Sequence, residues 1–481
     1  MIDFFQSLHI ASWVYWTLTV AYAITIVSIV GVVLSENRNP LKSLAWITVL
    51  LLFPAGGIIL YIFFGRSIKN KRMISRRNRK RLTQAFPTEL YTETPHHLPA
   101  ELRQQIELGR SLANARYLPS NQLKSYHHGT DKFRDLLADI AQARDFILIQ
   151  YYIIANDRIG NQLKDALIER ARAGVKISMI YDHIGSFNVK TRFFTEMRRA
   201  GIEAHPFFRV AFPPFATRIN WRNHRKIVVI DGHTAYIGGM NVADRYLDGG
   251  KFPKWRDTHM RIQGPGVAAL QYSFAIDWSF MGNSLLRLPS NITPYTEADA
   301  AGVQLLTSGP TSEWSNIAML MLKAIGNAKK RVYIQTPYFL PTESMLRSLQ
   351  AAALSRVDVR IMMPRRSDSL MLTYASYSYI MECLRAGIKI YLYEAGMLHS
   401  KTMIVDSDFC AIGSANIDFR SFEHNFESTM FIYSRSANAE LTRQFLADQN
   451  ESHRVSEPAW RSRSRLQKAK ESILRLFSPI L

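Results

Sequence analysis

Two short stretches of this chain carry the same spacing of reactive residues, 175 positions apart, and this duplication restricts the possible folds strongly. In each stretch a Lys follows a His by 2 positions, an Asp follows that His by 7 and an Asn follows it by 17. The two copies are His224, Lys226, Asp231, Asn241 and His399, Lys401, Asp406, Asn416. Accidental matches to the His-Lys-Asp part are expected on the order of 0.03 times in a chain of this composition. A matched pair therefore indicates an internal repeat.

The residues after each Lys predict a short buried β-strand, at 227–230 and at 402–405. Side chains two apart on a strand share a face, so each His is expected to project beside its Lys. Asp231 is followed by Gly232, a pair typical of hairpin turns, which places the Asp at the strand end. There it is expected to hold the Lys or backbone groups rather than touch the reacting atoms.

The chemistry of the pattern suits a phosphate diester. Two ammonium groups and two amides can neutralise and hold the anion, while two imidazoles can act as nucleophile and as acid or base. A covalent histidine intermediate is therefore the mechanism that the duplicated pattern favours.

The repeat extends beyond the motifs. Residues 140–150 resemble residues 325–335, and residues 199–202 resemble residues 385–388. Each half is predicted to alternate helix and strand three times before the motif hairpin, which is typical of an α/β sheet with helices on both faces. Two such halves related by a pseudo-two-fold axis would bring both motifs into one site.

An apolar, proline-interrupted loop at 206–215 precedes the first motif, where the first half is longer than the second by 11 residues. Two interpretations are open. The loop could pack into the core, or Phe212 and Phe215 could enter a bilayer or guide an acyl chain towards the site.

The N-terminal residues form two apolar blocks, 13–34 and 44–65, each of 22 residues without a charge. A hydrocarbon core needs about 20 such residues per helix, so the blocks predict a transmembrane hairpin. A cleaved signal peptide is disfavoured because no basic segment precedes the first block. Pro54 and the nearby glycines leave a re-entrant second segment as an alternative.

The net charge of +21 points to an anionic partner. A basic run at 66–81 follows the second apolar block, which favours the cytoplasmic side of a membrane and contact with anionic headgroups. In a soluble protein such a charge would suggest nucleic acid, whereas the membrane hairpin shifts the expectation to anionic lipid. Two cysteines, Cys383 and Cys410, provide no disulfide framework. Neither zinc-type spacing nor a Gly-rich nucleotide loop occurs, so no metal and no cofactor are expected.

The paired motifs resemble those of the phospholipase D superfamily. Together with the hairpin and the basic run, further segments make nearly the whole chain similar to the bacterial cardiolipin synthase family. These segments are 54–57 (PAGG), 336–341 (TPYFLP), 425–427 (NFE) and 476–479 (LFSP).

This resemblance implies an enzyme that joins two phosphatidylglycerol molecules into cardiolipin and releases glycerol, without nucleotide or metal. It also implies a fold class: α/β, with an N-terminal transmembrane helical hairpin and two pseudo-two-fold-related phospholipase D-like domains that share one active site. The expected boundaries are 1–66 for the membrane hairpin, 67–120 for a basic linker, 121–300 for the first catalytic domain and 301–481 for the second.

The resemblance further implies a role for each site residue. His224 is expected as nucleophile and His399 as acid and base, although the symmetry of the sequence leaves that assignment open. Lys226, Lys401, Asp231 and Asp406 complete the two motifs and are counted with the catalytic set. Asn241 and Asn416 are expected to bind the substrate phosphate. Two carboxylates are expected to orient the imidazoles, with Asp257 serving His224 and Glu427 serving His399.

Several alternatives share parts of this pattern. A phospholipase D would let water resolve the intermediate to phosphatidic acid, and a membrane-bound nuclease would act on another phosphodiester. A lipid-binding scaffold with an inactive site and a phosphatidylserine synthase are further possibilities. The expected substrate is phosphatidylglycerol, with anionic membrane lipids as partners and no nucleic acid. The expected location is the bacterial cell membrane, multi-pass, with the catalytic domains in the cytoplasm; the oligomeric state is left open.

Overall fold

The computed structural model describes most of the 481 residues, namely 12–35, 40–61, 73, 75–84, 95–96, 98–209, 221–286 and 292–479. The described residues up to position 61 form one compact unit, and those from position 73 onwards form another. Residues 210–220 lie outside the described ranges, and with them Phe212 and Phe215 of the apolar loop. The start of that loop is described, and it packs into the core, where the buried Phe207 ring lies 5.2 Å from that of Phe426.

The N-terminal unit contains three helices, α1 (Ser12–Ser35), α2 (Pro40–Leu52) and α3 (Pro54–Leu60). Among the described residues, one helix is long and apolar enough to cross a membrane, over Ser12–Gly31. The second apolar block does not form one continuous helix, because Phe53 adopts a non-helical backbone immediately before Pro54. Proline lacks the N–H needed inside a helix, which explains the break. The described residues therefore contain one helix long enough to span a membrane, and the expected hairpin of two full spans is not seen among them.

The larger unit contains one large sheet, with helices that precede, connect and follow its strands along the chain. Their bounds are α4 (Arg76–Gln84), α5 (Ala100–Ala113), α6 (Gly129–Ala141), α7 (Arg158–Arg172), α8 (Thr191–Arg199), α9 (Arg245–Asp248), α10 (Gly266–Phe280), α11 (Asn316–Asn327), α12 (Glu343–Leu354), α13 (Leu370–Tyr377), α14 (Ile380–Arg385), α15 (Phe419–Glu423), α16 (Arg435–Asn450), α17 (Glu457–Arg461) and α18 (Arg465–Arg475).

The strands of the first half are β1 (Leu118–Tyr126), β2 (Phe146–Tyr151), β3 (Lys176–Asp182), β4 (Glu203–Phe207), β5 (Ile227–Ile230), β6 (Thr234–Gly238), β7 (Trp255–Arg256) and β8 (His259–Gln263). Those of the second half are β9 (Ala301–Ser308), β10 (Arg331–Gln335), β11 (Phe339–Leu340), β12 (Asp358–Pro364), β13 (Lys389–Tyr393), β14 (Met397–Leu398), β15 (Thr402–Val405), β16 (Phe409–Gly413), β17 (Ile417–Asp418), β18 (Glu427–Tyr433) and β19 (Ser452–Arg454).

Fifteen strands form one sheet in the order β19-β13-β12-β10-β15-β16-β18-β9-β1-β8-β6-β5-β2-β3-β4. Apart from the edge strand β19, the order on one side of the β9–β1 pair mirrors the order on the other. In each half three strands run parallel and the motif hairpin joins them antiparallel. The predicted alternation of helices and strands and the predicted motif hairpins are present. Their arrangement in one continuous sheet places the two motif strands, β5 and β15, in equivalent positions.

Two features of the larger unit were not predicted from the sequence. Strands β1 and β9 pair antiparallel with each other and join the halves, although neither belongs to the recognised repeat. Residues 100–113, expected in the basic linker, form helix α5, whose Ile106 is buried in the core of the second half. The apolar face of this amphipathic helix is covered by that core.

Each half has its own apolar core, and a third cluster lies where the halves meet. Leu163 and Val228 belong to the first core and Leu349 to the second. The central cluster joins Ile262 of the first half to Met430 of the second. The two motif strands are therefore fixed within one rigid, shared interior.

Candidate active site

Each motif begins on a segment that leads into the central hairpin. Lys226 immediately precedes β5, and Lys401 immediately precedes β15. Both side chains are buried, and each lysine Nζ donates to the carbonyl oxygen of its own motif histidine at 2.5 Å. The pair formed by each His and Lys is therefore held on one face, as expected from their spacing of two residues.

Backbone hydrogen bonds tie each motif histidine to the opposite half. The amide of His224 donates to the carbonyl of Phe426 at 2.9 Å, and the amide of His399 donates to the carbonyl of Arg256 at 2.7 Å. Around the second contact, β14 pairs parallel with β7. Each histidine thus lies beside the segment in the other half that carries a carboxylate, Glu427 or Asp257.

Because of these contacts between the halves, the orienting carboxylates are assigned to the histidines in the opposite way to the one expected. His224 Nδ1 lies 3.0 and 3.1 Å from the two carboxylate oxygens of Glu427, whereas His399 Nδ1 lies 2.6 Å from Oδ2 of Asp257. The expectation that Asp257 serves His224 and Glu427 serves His399 is wrong. Sequence proximity favoured a partner in the same half, but the pairing of backbone segments between halves brings the distant carboxylate closer.

The two carboxylates are supported differently. The Ser414 hydroxyl donates to Glu427, and the Ser414 carbonyl oxygen lies 3.1 Å from His224 Nδ1. The equivalent position in the first half is Gly239, where an added Cβ would come within 2.1 Å of Asp257 Oδ1. In one half the Ser414 hydroxyl supports the Glu427 carboxylate. In the other half Gly239 has no side chain, and this leaves room for the Asp257 carboxylate.

Asp231 and Asp406 lie at the far ends of their strands, away from the imidazoles. The Asp231 carboxylate accepts backbone N–H donors from Arg144, Asp145 and Phe146 at 2.8–2.9 Å. Asp406 accepts three equivalent donors from residues 329–331. Each aspartate thus holds backbone groups at a strand end, as expected from its position, which gives it a structural role within the motif. A four-residue strand spans roughly 13 Å, which separates each carboxylate from its His–Lys pair.

Both motif asparagines are buried, and each side-chain amide already donates one hydrogen bond within the protein. Asn241 Oδ1 accepts from the Ile153 amide at 3.0 Å, and its Nδ2 donates to the Tyr246 hydroxyl at 2.8 Å. Asn416 Nδ2 donates to Asp418 Oδ2 at 2.9 Å. Each amide group has a second N–H, which is the group that the expected phosphate contact would use.

Burial and mutual repulsion of the cations control the charges at this site. Burial lowers the pKa of Lys226 to about 7 and that of Lys401 to about 8, and the Lys401 charge adds to the effect on Lys226. Burial also lowers the pKa of His224, and it lowers the pKa of His399 to about 4. All four groups therefore favour an added negative charge, which would stabilise their protonated forms.

Aromatic rings that the motif analysis did not assign to the site surround both imidazoles. The Tyr152 ring lies 4.9 Å from that of His224, and the Tyr338 ring lies 6.5 Å from that of His399. Trp255 and Tyr246 also lie within 6.1 Å of His399. The sequence could have pointed to two of these residues, because Tyr152 and Tyr338 closely follow the strands that pair with the motif strands.

Within the described ranges, no group of three or more His, Cys, Asp or Glu side chains is arranged to hold a metal ion. Two imidazoles and two lysines, each imidazole with a buried carboxylate at Nδ1, can perform nucleophilic displacement at a phosphodiester. The Nδ1 contacts of His224 are all acceptors, so Nδ1 carries the proton and Nε2 has the free electron pair.

Comparisons with known proteins agree with this chemistry. A family model described as cardiolipin synthase, phospholipase D-like domain, matches residues 136–258 and 321–449. A second, described as phospholipase D-nuclease N-terminal, matches residues 20–66. The fold is similar to the crystal structure of phosphatidylserine synthase from Haemophilus influenzae Rd KW20. The TM-score is 0.61 at 13% identity, with 79% of this chain and 100% of that chain covered.

Curated relatives match over nearly the full length. The major cardiolipin synthase ClsA of Bacillus subtilis is 38% identical over 475 residues, covering 96% of this chain and 98% of the relative. A cardiolipin synthase of Geobacillus kaustophilus is 38% identical over 474 residues, covering 96% and 93% respectively. With both motifs intact in a shared site, the chain belongs to the cardiolipin synthase family of the phospholipase D superfamily.

Proposed function

We propose that this protein is a cardiolipin synthase, which transfers the phosphatidyl group of one phosphatidylglycerol to a second and releases glycerol. The observation that carries the proposal is the crossed pair of imidazole–carboxylate contacts, His224 with Glu427 and His399 with Asp257, beside two buried lysines. The full-length relatives named above supply the substrate class.

In the first step, Lys226 and Lys401 neutralise the phosphodiester anion, which otherwise repels a nucleophile. The second N–H of Asn241 and of Asn416 donates to the non-bridging oxygens. His224 Nε2 attacks phosphorus, the bond from phosphorus to the glycerol oxygen breaks, and that oxygen takes a proton.

His399 donates that proton, which leaves glycerol free and phosphatidyl bound to His224. Burial lowers the pKa of His399 to about 4, and the arriving anion together with Asp257 favours its protonated form. We assign the nucleophile to His224 by resemblance to the family, and its Nδ1 contacts are compatible with this role because they leave Nε2 with a free electron pair.

In the second step, neutral His399 removes a proton from a headgroup hydroxyl of the second phosphatidylglycerol. The resulting oxygen attacks phosphorus, the bond between phosphorus and nitrogen breaks, and its electrons return to His224 Nε2. The sum is two phosphatidylglycerols converted to cardiolipin and glycerol. Water in place of the second lipid would give phosphatidic acid, so exclusion of water separates the synthase from a hydrolase.

We also place the protein in the bacterial cell membrane as a multi-pass protein, with both catalytic halves on the cytoplasmic side. Support for a hairpin comes from packing within the N-terminal unit, where Ile26 and Ile29 of α1 pack against Leu50 and Tyr61 of the second apolar block. The basic residues of α4 favour the cytoplasmic side. We propose residues 1–66 as anchor, 67–120 as connecting segment, and 121–300 and 301–481 as catalytic domains. Anionic lipids are the proposed partners, and nucleic acid is not.

The test uses the full chain purified in detergent. It is incubated with phosphatidylglycerol alone, with chelator and without nucleotide, and the lipids are analysed by mass spectrometry. Equal amounts of cardiolipin and glycerol, lost in His224→Ala and in His399→Ala, support the proposal. Phosphatidic acid as the main product would assign a hydrolase instead, and no turnover would reject both activities.

A further inference from the structure

The C-terminal helix α18 exposes several large apolar side chains, together with the two residues that follow it. Leu466, Ile473 and Leu476 are 67%, 57% and 79% exposed, and Phe477 is 43% exposed. The spacing of seven residues between Leu466 and Ile473, followed by three to Leu476, places these side chains on one helical face. That face is an apolar stripe turned outwards.

Two charged residues of the same helix, Glu471 and Arg475, are instead turned inwards and paired. Glu471 is buried and forms an ion pair with Arg463, and Arg475 Nη1 lies 2.5 Å from Glu382 Oε1. Burial of paired charges beneath an exposed apolar stripe is the opposite of what water favours. Contiguous exposed apolar residues of this kind mark a surface that another apolar phase covers.

A neighbouring helix connects this stripe to the active site. Helix α13 packs against α18, and it adds Leu370 and Met371, which are 55% and 48% exposed. Just before α13, Asp368 accepts a hydrogen bond of 2.6 Å from the Tyr338 hydroxyl. The Tyr338 ring in turn lies 6.5 Å from that of His399. The exposed apolar side chains therefore lie along the chain next to a residue that borders the active site.

The charge around the stripe selects its occupant. Arg465 and Lys470, both exposed, lie on the helix beside the apolar residues, and Arg461 lies just before it. The whole chain carries +21. A second copy docked symmetrically would bring these like charges against each other. An anionic bilayer surface would accept both the apolar stripe and the cations, as it does for basic amphipathic helices.

We propose that α18, together with Leu370 and Met371, is a docking face that inserts into the anionic membrane surface and holds the Tyr338 side of the active site at the bilayer. This inference deepens the proposed function, because it names the surface through which lipid substrate and enzyme meet. Insertion can be measured without turnover, so its failure and the failure of the proposed activity are distinguishable.

The first test measures contact with lipid directly. Ile473→Cys and, separately, Leu466→Cys are introduced into the full chain, labelled with an environment-sensitive fluorophore and reconstituted into vesicles of phosphatidylglycerol and phosphatidylethanolamine. The native Cys383 and Cys410 are both 0% exposed, so they contribute little label. The matched control is Leu354→Cys, which labels a side chain that is 69% exposed at the end of α12.

Doxyl-labelled lipids are expected to quench the labels at 473 and 466 several-fold more strongly than the label at 354, because an interfacial helix buries its apolar face by about 5–10 Å. Equal quenching at all three positions overturns the proposal. Efficient disulfide crosslinking between copies through position 473 also overturns it, in favour of a contact between two chains.

The second test measures the consequence for catalysis. The triple variant Leu466→Ser, Ile473→Ser and Leu476→Ser is expected to lower kcat/KM about tenfold on phosphatidylglycerol vesicles. Turnover of short-chain phosphatidylglycerol below its micelle concentration is expected to stay unchanged. Leu354→Ser serves as control for loss of an exposed leucine. An equal loss of kcat/KM on both substrates would show that the stripe has only a structural role. Unchanged kcat/KM on both substrates would show that the stripe does not help the enzyme reach its lipid substrate.

Discussion

The two halves of the candidate active site carry matched motif residues that are held by different neighbours. His224 contacts both carboxylate oxygens of Glu427, and Ser414 adds a hydroxyl and a carbonyl oxygen to that contact. His399 contacts a single oxygen of Asp257, with Gly239 in the place equivalent to Ser414. The difference teaches that the duplicated motif preserves the reacting groups, whereas the groups that orient them have diverged.

The largest expected effect separates the roles of the two histidines. With a phosphatidyl substrate whose leaving group is p-nitrophenol, His399→Ala should form and retain a phosphatidyl adduct on His224, because this leaving group needs no proton donor. His224→Ala should form no adduct. On phosphatidylglycerol both variants should lose about 10⁴-fold or more in kcat. Intact-mass spectrometry of the protein measures the adduct, and an adduct in His224→Ala would reverse the assignment.

Substitution of the two crossed carboxylates is expected to have the next largest effect on kcat. Glu427→Gln and Asp257→Asn should each lower kcat by about 10²- to 10⁴-fold, because the wrong tautomer is then favoured in the imidazole they contact. Nitrogen-15 NMR of labelled histidine should show Glu427→Gln perturbing His224 and Asp257→Asn perturbing His399. The reverse pattern would restore the pairing within each half that the sequence suggested.

The difference between Gly239 and Ser414 can be tested by removing it. Gly239→Ala should reduce activity by about 10²-fold, because its Cβ would overlap the Asp257 carboxylate at 2.1 Å. Ser414→Ala should lose only about tenfold, through one hydrogen bond to a charged group. Kinetic assays and thermal melts measure both. Gly326→Ala, where a Cβ would meet nothing within 4 Å, is the control and should leave activity unchanged.

The lysines predict a pH dependence. Burial lowers the pKa of Lys226 to about 7 and that of Lys401 to about 8, so the cations that we propose bind the phosphodiester are lost as pH rises through these values. The kcat/KM profile should therefore fall above about pH 7–8. The kcat profile should fall at higher pH, since bound substrate stabilises both ammonium groups. Coincident alkaline limbs in the two profiles would contradict this account.

The smallest expected effect on catalysis concerns the two aspartates at the far ends of the motif strands. Asp231→Asn and Asp406→Asn should each lower the free energy of unfolding by about 1–3 kcal/mol, because three backbone N–H groups lose a charged acceptor. The folded fraction should keep its kcat. Chemical denaturation and active-site titration measure the two quantities. Asp165→Asn, at a largely exposed carboxylate, is the control. A loss of kcat without loss of stability would return these aspartates to the reaction.

Much of this site could be predicted from local patterns, and the limits have a physical origin. The spacing of two residues sufficed to place His224 beside Lys226, because strand geometry is local. The break at Pro54 could be anticipated only in part, since proline signals a helix end without saying whether the segment still enters the membrane. The segment of helix α5 was expected in a linker because a basic run precedes it, and its contact with the core of the second half could not be read from local sequence.

The sequence by itself determined the duplicated reactive groups, the α/β alternation, the apolar N-terminal helix and the family. These follow from periodicity and spacing within short segments, where the physics is local. Only the tertiary structure decided which carboxylate orients which histidine, because the partners of His224 and His399 are 203 and 142 residues away. The same is true of the lowered lysine pKa values and of the outward apolar face of α18, since burial belongs to the packed molecule and not to any one segment.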